Sequence, residues 1–489
     1  MVVRCGNEIS RAFKYCCGVR QGCPMSPILF DIYINDIFEG MDGVEVPGLE
    51  EKIPGLLFAD DAVILADSEI SLKNSFLKLN LWAEKWKVKI NNKKCGVIPV
   101  DAAVESQLFI QQKPVQAVDE YTYLGLKFNK NWTHKDTLKN NAEKARRALY
   151  ASYYFFKRRD IPTKFKVMAV KGIIIPIATY GCELFGISVV RCYSLQKVAD
   201  DATRIAMNVG KSTAMNRLRT ELSIAQINTK SSIARERAYH KWSSSRTWIS
   251  DLINNPILNR KDTWVTGYIR WSKRLNKNLM RGSTKKTLYD RVLKNDKSMI
   301  SQWMRKVYGG NQSNWMGLEL KYPERQKSLL HIAKIRIGAY WTAQRMANAR
   351  IIDGAYKTEC PFCKMKTPET VEHILLDCGR WTAVRWNTTG PYIREKTSML
   401  SMQFSNLPPS SISQRLVGKL LGEELKLSSS AIYQGYDTPA TKIVLATEKF
   451  LEAISLHRKL ILEKINCSPI PLTRRLTGTE ALQCRRGVG

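Results

Sequence analysis

The sequence predicts an α+β fold, with short antiparallel strands in residues 1–128 and helices through most of the remainder. Three observations predict it. An apolar run, Leu56-Leu57-Phe58-Ala59-Asp60-Asp61-Ala62-Val63-Ile64-Leu65, is interrupted only by two adjacent carboxylates and bounded by Gly55 and Asp67-Ser68. Runs this short read as buried strands, with Asp60-Asp61 at the tip of a tight hairpin. Leu72, Phe76, Leu79, Ala83 and Trp86 recur at the spacing of one helix face. A cysteine–histidine cluster near residue 370 marks a small module with its own stabilising centre.

The elements follow in chain order. Gly18-Val19-Arg20-Gln21-Gly22-Cys23-Pro24 reads as a loop. A helix follows whose apolar positions are Ile28, Leu29, Ile32, Tyr33 and Ile37. A glycine-bounded loop before a helix can offer backbone N–H groups to phosphate, and a plain loop fits the same residues. The carboxylate pair comes next. Two neighbouring ionised carboxylates repel each other and are costly to bury, and a hard divalent cation offsets both costs. Mg²⁺ takes one or two carboxylates together with substrate phosphates. An exposed turn fits Asp60-Asp61 on local pattern as well. Val88 to Ile98 reads as a turn and strand, and Tyr121 to Phe128 as a strand or hairpin.

The chain has 489 residues, 77 Lys+Arg against 44 Asp+Glu, and a formal net charge of +33. Such an excess points to a polyanionic partner, nucleic acid above all. The basic residues are spread along the chain rather than gathered beside a lipid anchor, which disfavours a membrane surface. No secretory leader is legible at Met1–Cys5, and the longest apolar stretch, Gly172–Thr179, is too short to span a bilayer. Between Lys130 and Lys171 twelve basic residues face only Asp136, Glu143 and Asp160. Ala145, Ala148 and Leu149 interleave with them at helical spacing, as on a helix that tracks a phosphate backbone. Residues 230–306 mix cations with Trp242, Trp248, Trp264, Trp271 and Trp303. Single-strand binders use that mixture, while any one of these tryptophans fits a core as well.

Of the twelve cysteines, three cluster with a histidine and the rest are scattered, the usage of a reducing compartment. Cys360, Cys363, His373 and Cys378 have the spacing C-x2-C-x9-H-x4-C. Four soft or borderline ligands suit tetrahedral Zn²⁺ and leave no open position, so the site is structural. His373 and Cys378, five apart, would face the same way across about one helical turn. Trp381 and Arg385 just beyond would touch nucleic acid or cover the site. Residues 399–414 are rich in Ser and Pro and read as linker, Ala440–Ile465 as an amphipathic helix, and Thr473–Arg486 as a basic tail. No carboxylate cluster suited to an endonuclease is found there.

The order and intervals of the GVRQGCPMSP loop, Phe58-Ala59-Asp60-Asp61, Asn91–Cys95 and Tyr121–Gly125 resemble the palm of a reverse transcriptase of the non-LTR (LINE-like) retrotransposon family. Tyr180–Phe185 resembles the family's thumb signature. The Glu369-Thr370-Val371-Glu372-His373 core resembles the zinc module that follows the polymerase. The resemblance extends over most of residues 1–390 and implies five segments. These are a partial palm (1–128), a helical thumb (129–225), a basic helical linker domain (226–350), a CCHC module (351–390), and a linker, helix and tail (391–489). It implies RNA-directed DNA polymerase activity with an RNA template, a DNA primer or target, dNTPs, Mg²⁺ and Zn²⁺, in the nucleus or a cytoplasmic ribonucleoprotein. No membrane is implied, and oligomeric state is left open. Asp60 and Asp61 would hold Mg²⁺, Arg20, Gln21, Gly22 and Phe58 would shape the template and nucleotide pocket, and Lys94 would neutralise the leaving pyrophosphate. Leu124 and Gly125 would form the primer grip. The family also carries fingers and a further metal-binding Asp upstream of Gly18, where this chain offers only Glu8. Two carboxylates make a weak, incomplete metal site. The expectation is a chain truncated at its N-terminus and inert alone, with a catalytically dead nucleic-acid-binding remnant as the alternative.

Overall fold

A computed structural model describes all residues except 1, 13, 15–17, 187, 258, 261–262, 276–282, 308–314, 404–407, 426–437 and 468–489. The chain divides into two compact units, one of residues 1–140 and 235–281, the other of 141–234 and 282–489.

The strands of the first unit form separate antiparallel pairs rather than one sheet. They are β1 (Arg4–Cys5) with β2 (Glu8–Ile9), β3 (Gly55–Phe58) with β4 (Asp61–Ile64), β5 (Leu108–Ile110) with β6 (Lys113–Val115), and β7 (Glu120–Tyr123) with β8 (Leu126–Asn129). The expected strand near Val97 is a single bridge to Ala117, and Asn92–Lys94 is a 3-10 turn. Two helices supply the core. α1 (Ser26–Ile34) carries proline in its first turn, where its missing N–H costs nothing. α2 (Glu69–Lys85) is capped by Ser68, whose side chain accepts from Ser71 N, and starts on Glu69. Phe76, Leu79 and Ala83 of α2 are buried with Ile34, Ile37, Leu108, Ile110 and Val115. Asp36 fixes the junction by accepting Trp82 Nε1 at 2.6 Å and Trp86 Nε1 at 3.2 Å, and Tyr33 donates to Trp86 O at 2.6 Å. The face of α1 expected to point inward is only partly used. Ile28, Leu29 and Ile32 are exposed, because the turn that follows α1, not its middle, meets α2.

Three of the tryptophans of residues 235–281, Trp242, Trp264 and Trp271, pack against other rings, whereas Trp248 is exposed. Tyr239, Trp242, Trp264, Tyr268 and Trp271 form a chain of ring contacts 4.5–6.3 Å apart, with the Arg235 guanidinium 5.0 Å from the Trp264 ring. The core reading therefore holds for these rings. Arg281, one of the cations expected there, lies outside the described residues.

The second unit is helical and pinned by buried ion pairs. Glu221, almost fully buried, accepts from Trp315 Nε1 at 2.8 Å, from Arg336 and from Arg217. Burial alone would raise its carboxyl, and the two guanidiniums hold it below the ordinary value instead. Glu319, also buried, accepts the Thr163 hydroxyl at 3.0 Å and its backbone N–H at 2.5 Å, which caps the helix Thr163–Ala169. The Ser/Pro stretch read as linker is helical on both sides of the undescribed residues, over Gly390–Gln403 and Pro409–Leu420. A helix over Pro439–Cys467 closes the unit and buries Val444, Phe450, Leu451 and Ile454. The basic tail beyond it lies outside the described residues. Among the described residues no helix is long and apolar enough to cross a membrane.

Candidate active site and metal centre

The carboxylate pair sits on a two-residue hairpin. Phe58 pairs with Asp61, Leu57 with Ala62 and Leu56 with Val63, leaving Ala59 and Asp60 at the tip. Ala59 has φ +50°, the positive first position that twists a hairpin tightly at the expense of backbone strain in a residue with a Cβ. The hairpin root is fixed by Gly55, where a Cβ would lie 2.4 Å from both the Phe38 ring and Val63 O. The hairpin is as expected, but the burial expected of its strands is not found. Asp60 and Asp61 are exposed, as are Leu56, Leu57 and Phe58, since no third strand covers β3–β4 among the described residues.

The structure brings Asp61 to two other predicted elements. Tyr121 and Tyr123 lie two residues apart on β7, so their side chains share one face. Burial pushes both phenols above their ordinary values, followed by Cys95 and then Asp61 for Tyr121 and by Asp61 for Tyr123. Tyr121 donates its hydroxyl to Lys94 O, and Gly96 leaves room for its ring, a Cβ there lying 3.3 Å from Tyr121 Cδ2. Lys94 is exposed on a turn held by Asn92 Nδ2, which donates to Ile110 O at 2.6 Å. The β7–β8 tip is Leu124-Gly125, with φ +47° and +78°, both positive as a type I′ turn requires. Leucine in that region carries roughly 1–2 kcal/mol of strain. Tyr121, on the strand that leads into the Leu124-Gly125 tip, thus touches the Lys94 turn, and the Asp61 charge is near enough to act on its phenol; the sequence placed this residue on a strand but gave it no role. The alternation of Tyr121 and Tyr123 was the available signal.

The Gly18–Pro24 loop differs from expectation. Gly22 has φ +86°, and Arg20 O accepts from Ser26 Oγ at 2.7 Å. Cys23 N donates to Arg20 O at 3.2 Å and Ser26 N to Cys23 O at 3.1 Å, so these N–H groups are not free for a phosphate, and the backbone at Met25 chiefly lowers the Cys23 thiol. Among the described residues, no hydrogen bond or ion pair joins Arg20, Gln21 or Gly22 to the carboxylate hairpin.

The four predicted metal ligands do converge. Their donor atoms all lie within 4.8 Å of one another, with Cys360 Sγ 4.0 Å from Cys378 Sγ and Cys363 Sγ 3.4 Å from His373 Nε2. Zn–S bonds of about 2.3 Å at tetrahedral angles put two sulfurs about 3.8 Å apart, so the set fits such an ion. The Cys360 thiol is held far below its ordinary value by hydrogen bonds from Cys378 and His373, and Cys378 is pushed up in turn. One thiolate forces its neighbour to stay protonated, and a bound cation removes that conflict. The expected ordinary helical turn between His373 and Cys378 is a π turn, His373–Asp377, closed by Cys378 N donating to His373 O at 2.7 Å. Residues five apart on an α-helix point about 140° apart, and the wider turn is what aligns the two ligands.

Around the ligands, Arg385 donates to Ile374 O, Leu375 O and Cys378 O at 2.9–3.3 Å, and Trp381 is buried with its ring 5.6 Å from that of Phe362. Both cover the site rather than offer a nucleic-acid contact. Glu369, fully buried, accepts from Ala343 N at 2.6 Å and twice from Arg458 at 2.7 Å, which ties the module to the last helix.

The cation-rich face expected along Lys130–Lys171 is exposed in part, for Lys166 is buried and donates to Arg158 O. On α3 (Lys135–Ala151), Leu138, Ala142, Ala145 and Leu149 are buried and Lys139, Lys144, Arg146 and Arg147 face water.

Residues 1–128 match the family described as reverse transcriptase, RNA-dependent DNA polymerase. This segment belongs to the reverse transcriptase family. The R2 retrotransposable-element polyprotein of Popillia japonica is 29% identical over 178 residues, covering 32% of this chain and 29% of that protein. The RNA-directed DNA polymerase of the mobile element jockey from Drosophila melanogaster is 28% identical over 181 residues, covering 35% of this chain and 19% of its own length. The probable RNA-directed DNA polymerase of the X-element, also from Drosophila melanogaster, is 24% identical over 249 residues, covering 48% and 27%. The reverse transcriptase segment thus has homologues among non-LTR retrotransposon polymerases, and the chain spans less than a third of the length of each of these relatives.

Proposed function

We propose that the chain is a portion of a non-LTR retrotransposon reverse transcriptase that handles an RNA template and a DNA primer. Asp60 and Asp61 anchor a catalytic divalent cation. The observation that carries this reading is the contact of the Leu124-Gly125 hairpin with the Lys94 turn through Tyr121, with the Asp61 charge near enough to act on that phenol, within the segment that matches the family. Phosphoryl transfer needs positioned charges more than covalent chemistry. Mg²⁺ held by the two carboxylates would neutralise the incoming triphosphate. Lys94 would meet the departing pyrophosphate, and the strained hairpin would seat the primer end. The exposed apolar side chains of α1 and β3 suit packing against a further strand with a third carboxylate. The basic face of α3 would follow the duplex backbone, and Zn²⁺ on Cys360, Cys363, His373 and Cys378 would hold the module behind it. Nuclear or ribonucleoprotein residence follows from the partners.

The test is binding and extension of an RNA–DNA primer–template by the full chain with Mg²⁺ or Mn²⁺. Metal-dependent binding or extension that D60N/D61N removes supports the reading. Equal behaviour of the wild type and this variant overturns it.

A further inference from the structure

The sequence offers Trp242, Trp248, Trp264, Trp271 and Trp303, or Trp381 and Arg385, for contacts to unpaired bases, with a core role open for each tryptophan. The structure packs Trp242, Trp264 and Trp271 against other rings, ties Trp303 Nε1 to Glu372 at 2.5 Å, turns Trp381 and Arg385 over the cysteine–histidine cluster, and leaves Trp248 exposed, with no cation on its ring among the described residues. Two other tryptophans have the opposite disposition. Trp341, 43% exposed, has the Arg345 guanidinium 4.6 Å from its ring centre, and Trp386, 60% exposed, has that of Arg394 at 4.2 Å. One pair precedes the four clustered cysteine and histidine residues in the chain and the other follows them. Both are anchored by buried chemistry. Trp341 O accepts from Arg458 at 2.6 Å, and Trp386 follows Arg385 on a helix, Thr382–Thr388, held to the module by that arginine's three hydrogen bonds.

A guanidinium on one face of an exposed indole fixes the ring without covering its other face. A flat, cation-backed surface of this kind stacks a base of any identity, provided the base is unpaired. The charge nearby has the matching sign. In the stretch of chain between the two tryptophans, Arg350, Lys357, Lys364, Lys366 and Arg380 are exposed, against exposed Asp353, Glu359 and Asp377. We infer that Trp341–Arg345 and Trp386–Arg394 are stacking platforms on which single-stranded nucleic acid rests beside the CCHC module. This deepens the proposed function in one respect only. It assigns an unpaired-strand site apart from the carboxylate hairpin, and it needs no polymerase activity.

The experiment uses the full zinc-loaded chain, without nucleotide or Mg²⁺. Probes are a fluorescein-labelled oligo(dT), a blunt duplex of the same length, and an oligo(dT) with one 2-aminopurine. Anisotropy should show that W341A/W386A weakens single-strand binding by about tenfold or more per ring while duplex binding changes little. W341F/W386F should retain most of the affinity, and R345K/R394K, which keeps charge but loses the flat guanidinium, should fall between. The 2-aminopurine signal should be quenched by wild type and not by W341A/W386A. Zinc content guards against unfolding, and W341F/W386F supplies the comparison if the alanine variant loses metal. Unchanged single-strand affinity, an equal loss on duplex, or absence of quenching by wild type overturns the inference. Failure of the proposed function appears elsewhere, as indifference of metal-dependent primer–template binding to D60N/D61N.

Discussion

The buried pair Glu369–Arg458 makes the tie between the CCHC module and the last helix quantitative. Replacing Arg458 with alanine removes two hydrogen bonds of 2.7 Å to Glu369 and one of 2.6 Å to Trp341 O. It also removes the guanidinium from beside the Tyr340 ring at 5.1 Å and the Phe362 ring at 5.6 Å. The larger consequence is what remains. Glu369 is fully buried and would keep only the Ala343 N–H. Stranding one member of a buried ion pair costs about 3–5 kcal/mol. The loss should depend on pH, because burial already raises the Glu369 carboxyl and the missing arginine raises it further. A carboxyl raised in the folded state binds protons that the unfolded chain releases. R458A should therefore lose more stability at pH 8 than at pH 5, where protonation relieves the stranded charge. The double variant E369Q/R458M, which removes both charges at similar volume, should recover most of the loss. Hydrogen exchange at the Ala343 amide, which donates to Glu369, reads the effect locally, and denaturant unfolding of the second unit reads it as a whole. An R458A cost below about 1 kcal/mol, or one that does not change between pH 5 and pH 8, refutes the reasoning.

Other predictions follow from the same geometry. Cys360→Ser should lower bound zinc from one ion per chain toward zero by metal analysis, with exchange protection lost first around His373–Cys378; full retention of zinc would contradict the ligand set. Glu319 is pushed up to about 7 mainly by burial, against an ordinary value of 4.5. The folded state therefore holds a proton that the unfolded chain releases, and its stability falls as pH rises from about 4.5 to 7. Glu319→Gln keeps an acceptor for Thr163 and should stabilise the chain at pH 8 by up to about 3 kcal/mol, with little effect at pH 4; an equal effect at both values would rule this out.

Much of the fold was legible because it is local. The β3–β4 hairpin, α2 with its Ser68 cap, the β7–β8 hairpin and the last helix follow from periodicity and turn chemistry over short windows. The convergence of Cys360, Cys363, His373 and Cys378 was legible from spacing, since few other arrangements satisfy two thiolates a turn apart. The π turn that aligns His373 with Cys378 was not, because a helical pattern does not reveal one residue of extra winding. Burial was the weaker inference. An apolar run such as Leu56–Phe58 says that a face wants cover, not that cover is present, and Ile28, Leu29 and Ile32 repeat the lesson. The roles of individual tryptophans were illegible for a related reason. Composition counts rings, while only the packing of Trp242 on Trp264, of Trp271 on Tyr268 and of Trp381 on Phe362 decides which remain free to meet a partner.

The most direct test of the account is Mn²⁺ binding, followed by electron paramagnetic resonance, in the wild-type chain and in D60N/D61N. The account predicts a site in the wild type that tightens when a deoxynucleoside triphosphate is added and is lost in the variant. Indistinguishable Mn²⁺ titrations of the two proteins would contradict it.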